Sequence, residues 1–292
     1  MKLKLIGLML AFAASIFSSN LYAEQKSCED PTPIRFALIP KKNMVEQLRY
    51  YQPLLRLLEK NLNRKVEVLQ PTSYGTVIEG LLSNAVDIAE LGAGSYALTK
   101  KRDANAIEAF ATYSHTKGHF TEEGKYYRSI LIVKSDSPYK SFDALRGATL
   151  NLTDPASTSG AIVPQKMFSA TVGMPLNIFF ERILYSGSHE AAIKLVHKGF
   201  SDAAFVASMR LDEEIKAHKF RNNDFKVLWQ SNPIPNEPTV YRSNLCEPLK
   251  SKIRQVFFNH ATELAPMLRN LNLVKLVETN DAEYQAVIQA YE

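Results

Sequence analysis

The chain has 292 residues, with 35 Lys and Arg against 30 Asp and Glu for a net charge of +5, 46% hydrophobic residues and two cysteines. That length is enough for one large or two moderate cores. So small a positive excess, scattered along the chain, excludes the basic footprint of a nucleic-acid-binding protein.

At the N-terminus, Lys2 and Lys4 precede an uncharged run over residues 5–19 and a small residue at Ala23. This is the layout of a secretory signal cleaved after Ala23, and it predicts a soluble, exported mature protein over residues 24–292. The run is short for a membrane-spanning helix, and its end is broken by serines and Asn20. A lipoprotein would place small residues directly before its cysteine, whereas Cys28 follows Glu24-Gln25-Lys26-Ser27. In an oxidising compartment Cys28 and Cys246 leave two readings open, a single disulfide or two separate thiols.

The predicted elements alternate. Residues 34–39 read as a strand ended by Pro40, and residues 50–62 place Tyr51, Leu54, Leu55, Leu57, Leu58 and Leu62 at helical spacing. A strand over 66–69, a helix over 74–82 and a strand over 87–91 follow, the last running into Gly92-Ala93-Gly94-Ser95-Tyr96. Such alternation predicts an α/β sheet covered on both faces. The polar, glycine-punctuated stretch 111–128 reads as a crossing into a second unit of the same kind. That unit has strands near 129–133, 149–152, 182–185 and 203–206, and helices from Ser157 and from Ser188. Residues 227–240 hold three prolines and read as the extended return crossing. Helical patterns over 249–261 and 281–290 complete the first unit. Two lobes joined by two crossings leave a cleft between them, where a ligand would sit.

In an open α/β sheet that ligand lies beyond the C-terminal strand ends, where helices begin. Residues 149–163 read as a strand, a turn at Asp154-Pro155 and a helix opening at Ser157-Thr158-Ser159-Gly160. Unpaired N–H groups and the positive helix end make three hydroxyls there a cradle for an anion, although a serine in that place also serves as a plain helix cap. Three further junctions carry donors: Ser73-Tyr74, Gly94-Ser95-Tyr96 and Ser186-Gly187-Ser188-His189. Tyr74 and Tyr96 could reach across the gap or pack at a lobe edge. His189, in the first helical turn, would gain from a bound anion.

Catalytic signatures are missing. There is no Gly-x-Ser-x-Gly elbow and no complete phosphate loop, since Gly118 to Lys125 has the wrong spacing and no Ser or Thr after the lysine. His189-Glu190 is followed at the zinc-helix position by Ile193, and His115 and His119 are separated by Gly118, so neither predicts a metal site. Donors around an anion with no nucleophile paired to a base predict binding rather than turnover, with no catalytic residue, metal or cofactor.

Three blocks, residues 154–160 (DPASTSG), 186–192 (SGSHEAA) and 199–204 (GFSDAA), resemble the signature blocks of the phosphate-, phosphite- and phosphonate-binding proteins of bacterial ABC importers. Residues 91–96 and 231–235 resemble weaker blocks of the same family. The resemblance runs from about Ile34 to about Tyr241. It implies a type II-like two-lobed periplasmic binding protein with mixed sheets flanked by helices and a ligand cleft between the lobes. The expected division is residues 24–118 with 237–292 in lobe 1 and residues 119–236 in lobe 2. It also implies a phosphorus oxyanion held by Ser157, Thr158 and Ser159 from lobe 2, with His189 beside them and Tyr74 and Tyr96 reaching in from lobe 1. The implied partner is an ABC permease in the inner membrane, served by a monomer in the periplasm. A ligand sensor presented to a membrane receptor is the alternative task. The sequence departs from the family at Ala207-Ser208, where an acidic residue commonly meets the amine of an aminoalkyl phosphonate. The expected ligand is therefore one without an amine: phosphate, phosphite or a small alkyl phosphonate.

Overall fold

The apolar run expected as the first strand forms one, Ile34–Leu38, and its alternation decides what each face buries. Ile34, Phe36 and Leu38 join one core with helices Met44–Leu62 and Glu247–Asn259, while Ala37 and Ile39 join another with helices Tyr74–Leu82 and Ala93–Arg102. The computed structural model describes residues 28–289; the expected signal segment, residues 1–23, lies outside the described residues. Among the described residues no helix is long and apolar enough to cross a membrane.

Six strands make the first sheet, in the order Leu273–Glu278, Ile107–His115, Thr239–Arg242, Ile88–Glu90, Ile34–Leu38, Val66–Leu69. The last three are parallel, and Thr239–Arg242 runs antiparallel to both of its neighbours. Five strands make the second, in the order Phe225–Gln230, Ser129–Lys134, Ala203–Ala207, Thr149–Leu152, Arg182–Tyr185. Its central strands alternate in the same way. Leu131 and Val133 face a core built around Phe168, and Ile130 and Ile132 face Ile193 and Val196. The molecule is thus two-lobed, with mixed sheets flanked by helices.

The crossings are narrower than the sequence suggests. Residues 107–115 continue as a strand of the six-stranded sheet, and residues 225–230 belong to the five-stranded one. What remains between the sheets meets in a two-residue ladder, Tyr126–Tyr127 against Ile234–Pro235, so the two passages are tied to each other. Cys28 and Cys246 form a disulfide, alongside backbone bonds Glu29 N to Asn244 O and Cys246 N to Glu29 O, both 2.8 Å.

The first long helix begins six residues before its expected start. Asn43 caps it by accepting from Glu46 N, and Pro53 is carried inside. The helix opening after Ser157 winds unusually wide: Ile162 N bonds back five residues to Ser157 O at 3.0 Å. Pro164, which has no N–H to give, begins a second wide turn, Pro164–Phe168. Widened turns of this kind are rare and occur often at functional sites.

Candidate functional site

The strand ends of both sheets face each other, and the helix starts expected from sequence lie on that face. Ser157 accepts from Gly160 N at 3.2 Å, and Ser188 accepts from Ala191 N at 3.2 Å, so both serines cap their helices. A capping hydroxyl accepts through its oxygen and keeps its own hydrogen to donate. Thr158 Oγ1 accepts from Gly94 N, in the first turn of helix Ala93–Arg102 on the opposite side, at 2.7 Å, and Ser95 Oγ donates to Ala156 O at 2.8 Å. Tyr74 N donates to Asp154 Oδ2 at 3.2 Å. The two halves are therefore in direct contact around the Ser157-Thr158-Ser159 turn, all three members of which are buried.

Tyr74 is buried with its phenol beside Ser157. Burial chiefly, with Glu237 adding to it, pushes that phenol's pKa far above its ordinary value, so it remains a hydrogen-bond donor. His189 is buried too, and its Nδ1 accepts from Ala207 N at 3.2 Å. The neutral ring must then carry its hydrogen on Nε2. Burial first, and then Arg210 and Lys41, bring its pKa down to about 3, so His189 serves as a neutral donor and not as a cation.

Tyr96 is placed elsewhere. Its ring packs 5.1 Å from that of Tyr284, in the core beneath the sheet, with Asp281 beside its hydroxyl. Neighbouring helical side chains point about 100° apart, and in helix Ala93–Arg102 it is Ser95 that faces the other lobe. Tyr127 occupies the position at the hydroxyls that sequence reasoning gave to Tyr96. It is buried, with its phenol beside Ser159 and Thr158. The aromatic cluster at 125–128 was its only signal, read from sequence as part of a crossing. A cavity of about 530 Å³ lined by Tyr127 and Ser208, among others, adjoins this position.

A second layer of charged groups lies between the lobes, and sequence reasoning missed all of it. Lys41 follows the first strand and pairs with Glu90, which also accepts from the Tyr51 hydroxyl. Arg210, in helix Ser208–Lys216, pairs with Glu213 and reaches across to Glu237 at 2.6 Å and to the Tyr113 hydroxyl at 3.2 Å. Burial pulls the guanidinium's pKa down, but Glu213 and Glu90 outweigh it and hold Arg210 protonated. Outside this layer, Lys42 pairs with Glu214 at 3.0 Å, and Lys219 bridges Glu46 and Glu190 at 3.1 and 3.0 Å. Among the described residues, no group of three or more His, Cys, Asp or Glu is placed to hold a metal ion.

The buried imidazoles give a pH signature. His115, like His189, is brought down to about 3 by burial and then by Arg210 and Lys41. In the unfolded chain both titrate near 6.5. Between about 3 and 6.5 the unfolded state therefore binds more protons, and stability is full above that window and falls as pH drops through it. We expect the melting temperature to decline from pH 6.5 to 4, and the decline to be shallower in His189→Gln. Identical slopes for variant and wild type in calorimetry would refute the assignment.

The family model for the periplasmic substrate-binding proteins of ABC phosphonate transporters matches residues 36–284. The chain is 30% identical to the phosphonates-binding periplasmic protein of Escherichia coli K12 over 255 residues, covering 86% of this chain and 73% of that protein. It is 23% identical to the phosphate-import protein PhnD of Mycolicibacterium smegmatis, covering 86% and 79%. Among solved structures, the binding-protein component of an ABC phosphonate transporter from Pseudomonas aeruginosa superposes with a TM-score of 0.79 at 27% identity, covering 90% of this chain and 86% of that one. PhnD1 of Prochlorococcus marinus, in complex with methylphosphonate, shares the fold with a TM-score of 0.75 at 18% identity, covering 88% and 96%.

Proposed function

Because the chain belongs to the family of periplasmic substrate-binding proteins of ABC phosphonate transporters, we propose that it captures a phosphorus oxyanion between its two lobes and delivers it to an inner-membrane permease. The observation that carries this proposal is the set of neutral donors gathered at one buried helix start: Ser157, Thr158 and Ser159, with Tyr74 and Tyr127 beside them and the neutral His189 on the same face. Neutral donors and a helix end favour an anion without fixing a counter-charge to it, which suits a ligand that must be released again. In its exported form, residues 24–292, the protein would act as a periplasmic monomer.

Lobe 1 would comprise residues 24–118 and 237–292, and lobe 2 residues 119–236. The ladder of Tyr126–Tyr127 with Ile234–Pro235 lies where both passages between the sheets run together, and it would serve as the hinge. The contacts Gly94 to Thr158, Ser95 to Ala156 and Tyr74 to Asp154 belong to the closed arrangement. A ligand bound at the hydroxyl turn would favour closure by adding contacts that the open arrangement cannot make.

A thermal-shift screen of residues 24–292 against phosphate, phosphite, sulfate, methylphosphonate and aminoethylphosphonate tests this, since a ligand that binds only the folded state raises the melting temperature. One phosphorus oxyanion should give a shift. Thr158→Ala and Ser159→Ala should each weaken its binding by about 1–3 kcal/mol, the worth of a hydrogen bond to a charged group. Unchanged affinity in both variants would remove the hydroxyl turn from the site.

A further inference from the structure

Arg210 supports a step beyond the proposed function, and it rests on that proposal. The side chain is only 4% exposed and lies between the lobes. Its Nη2 donates to both oxygens of Glu237, at 2.8 and 2.6 Å, and to the Tyr113 hydroxyl, and its Nη1 donates to Glu213. Its Nε has no hydrogen-bond partner in this arrangement. A buried guanidinium with one orphaned N–H is unusual, because buried donors are nearly always satisfied. The charge of Arg210 is felt at Tyr74, Tyr127 and His189, so it belongs to the same interior as the hydroxyl turn.

Glu237 comes from the return passage, and it is the carboxylate that a ligand's ammonium group would seek on the lobe 1 side. The absence of an acidic residue at Ala207-Ser208 therefore does not empty the cleft of carboxylates. Instead a cation of the protein already occupies Glu237.

We infer that Arg210 is the specificity-determining residue of the cleft: by engaging Glu237 it excludes phosphonates with a cationic substituent, and through its unpartnered Nε–H it favours those whose substituent is a neutral or anionic acceptor, such as a carboxylate. Arg210 and Lys41, whose Nζ lies 3.8 Å from Glu237 Oε2, already face this buried carboxylate, and a ligand ammonium could not join them without mutual repulsion. An acceptor on the ligand would supply the bond that Nε lacks.

The test is calorimetric titration of residues 24–292 with methylphosphonate, phosphonoacetate, 2-aminoethylphosphonate, phosphate and phosphite. In the wild type, 2-aminoethylphosphonate should bind at least about tenfold more weakly than methylphosphonate, a difference of about 1.4 kcal/mol, and phosphonoacetate at least as tightly as methylphosphonate. Arg210→Gln releases Glu237 and should reverse the order of the amino and methyl ligands, whereas Arg210→Lys, which keeps the charge, should retain it. Should Arg210→Gln fail to fold, Glu237→Gln provides the second reading: it should leave the amino ligand excluded and tighten phosphonoacetate. A wild type that binds 2-aminoethylphosphonate as tightly as methylphosphonate overturns the inference alone. So does a folded Arg210→Gln with unchanged ligand order, or binding of phosphate or phosphite with rejection of all three phosphonates. A wild type that binds none of the five removes the proposed function, and the inference with it.

Discussion

Gly160→Ala is expected to abolish anion binding and to lower stability by about 3 kcal/mol, at the upper end of overpacking effects. A Cβ at this position would lie 1.9 Å from Thr153 Oγ1, 2.6 Å from its Cγ2 and 2.7 Å from its Cβ. Threonine is short, branched and here fully buried, so no rotation of its side chain clears a contact at its own Cβ. The backbone must move instead. Gly160 N is the group that Ser157 caps, and Gly160 O accepts from Thr153 N at 3.1 Å, so the hydroxyl turn would move with it. Thr153→Ala in the same chain removes the two outer contacts but not the one at Cβ, and should restore stability only in part. Titration and thermal melts on the wild type and the two variants decide the matter. Wild-type affinity in Gly160→Ala would mean that the turn does not hold the ligand.

Local pattern carries the fold further than it carries the site. Strand 34–38 was legible because its alternation repeats within five residues, and the helix over 50–62 because its leucines recur on one face. The start of that helix was hidden because its first turns bury Gln47 and expose Val45, the reverse of an apolar stripe. Helices Ala93–Arg102, Ser208–Lys216 and Ala261–Asn270 and strand Leu273–Glu278 were not separated out by periodicity. The hydroxyl turn was legible because its residues are consecutive, and a helix start puts consecutive donors in one place. Lys41, Glu90, Arg210 and Glu237 come from four distant segments and have no spacing in common. Only the sheet topology, which brings their strand ends to one face, makes them neighbours. The same limit explains Tyr96: the sequence placed a tyrosine and a serine at one junction, and the phase of the helix chose the serine.

Asp87→Ala should cost about 3–5 kcal/mol, the range for removing one partner from a buried ion pair, with no loss of ligand affinity in the protein that remains folded. Asp87 is completely buried and accepts from Arg35 through its backbone N, Nε and Nη2, at 2.8, 2.9 and 2.7 Å, and from Arg242 Nη2 at 2.7 Å. It thereby joins strands Ile34–Leu38 and Thr239–Arg242 through the strand between them. Arg242, with a side chain only 1% exposed, would be left with the half-exposed Glu29 as its remaining ionic partner. Burial alone would raise the Asp87 pKa, but Arg35 and Arg242 outweigh it and hold the carboxyl below its ordinary value. Its contribution is therefore complete above the unfolded carboxylate pKa of about 3.9 and is lost as pH falls through the lower folded value. Asp87→Asn should remove that acid-side dependence while keeping part of the hydrogen bonding, and so should be less destabilised than Asp87→Ala. The site lies at the end of strand Ile88–Glu90 opposite to the cleft, which separates its effect from that of Gly160→Ala. Equal melting temperatures for Asp87→Ala and wild type at neutral pH would show that the two arginines are satisfied without it, and a large loss of affinity would show that the far end of the sheet governs the cleft.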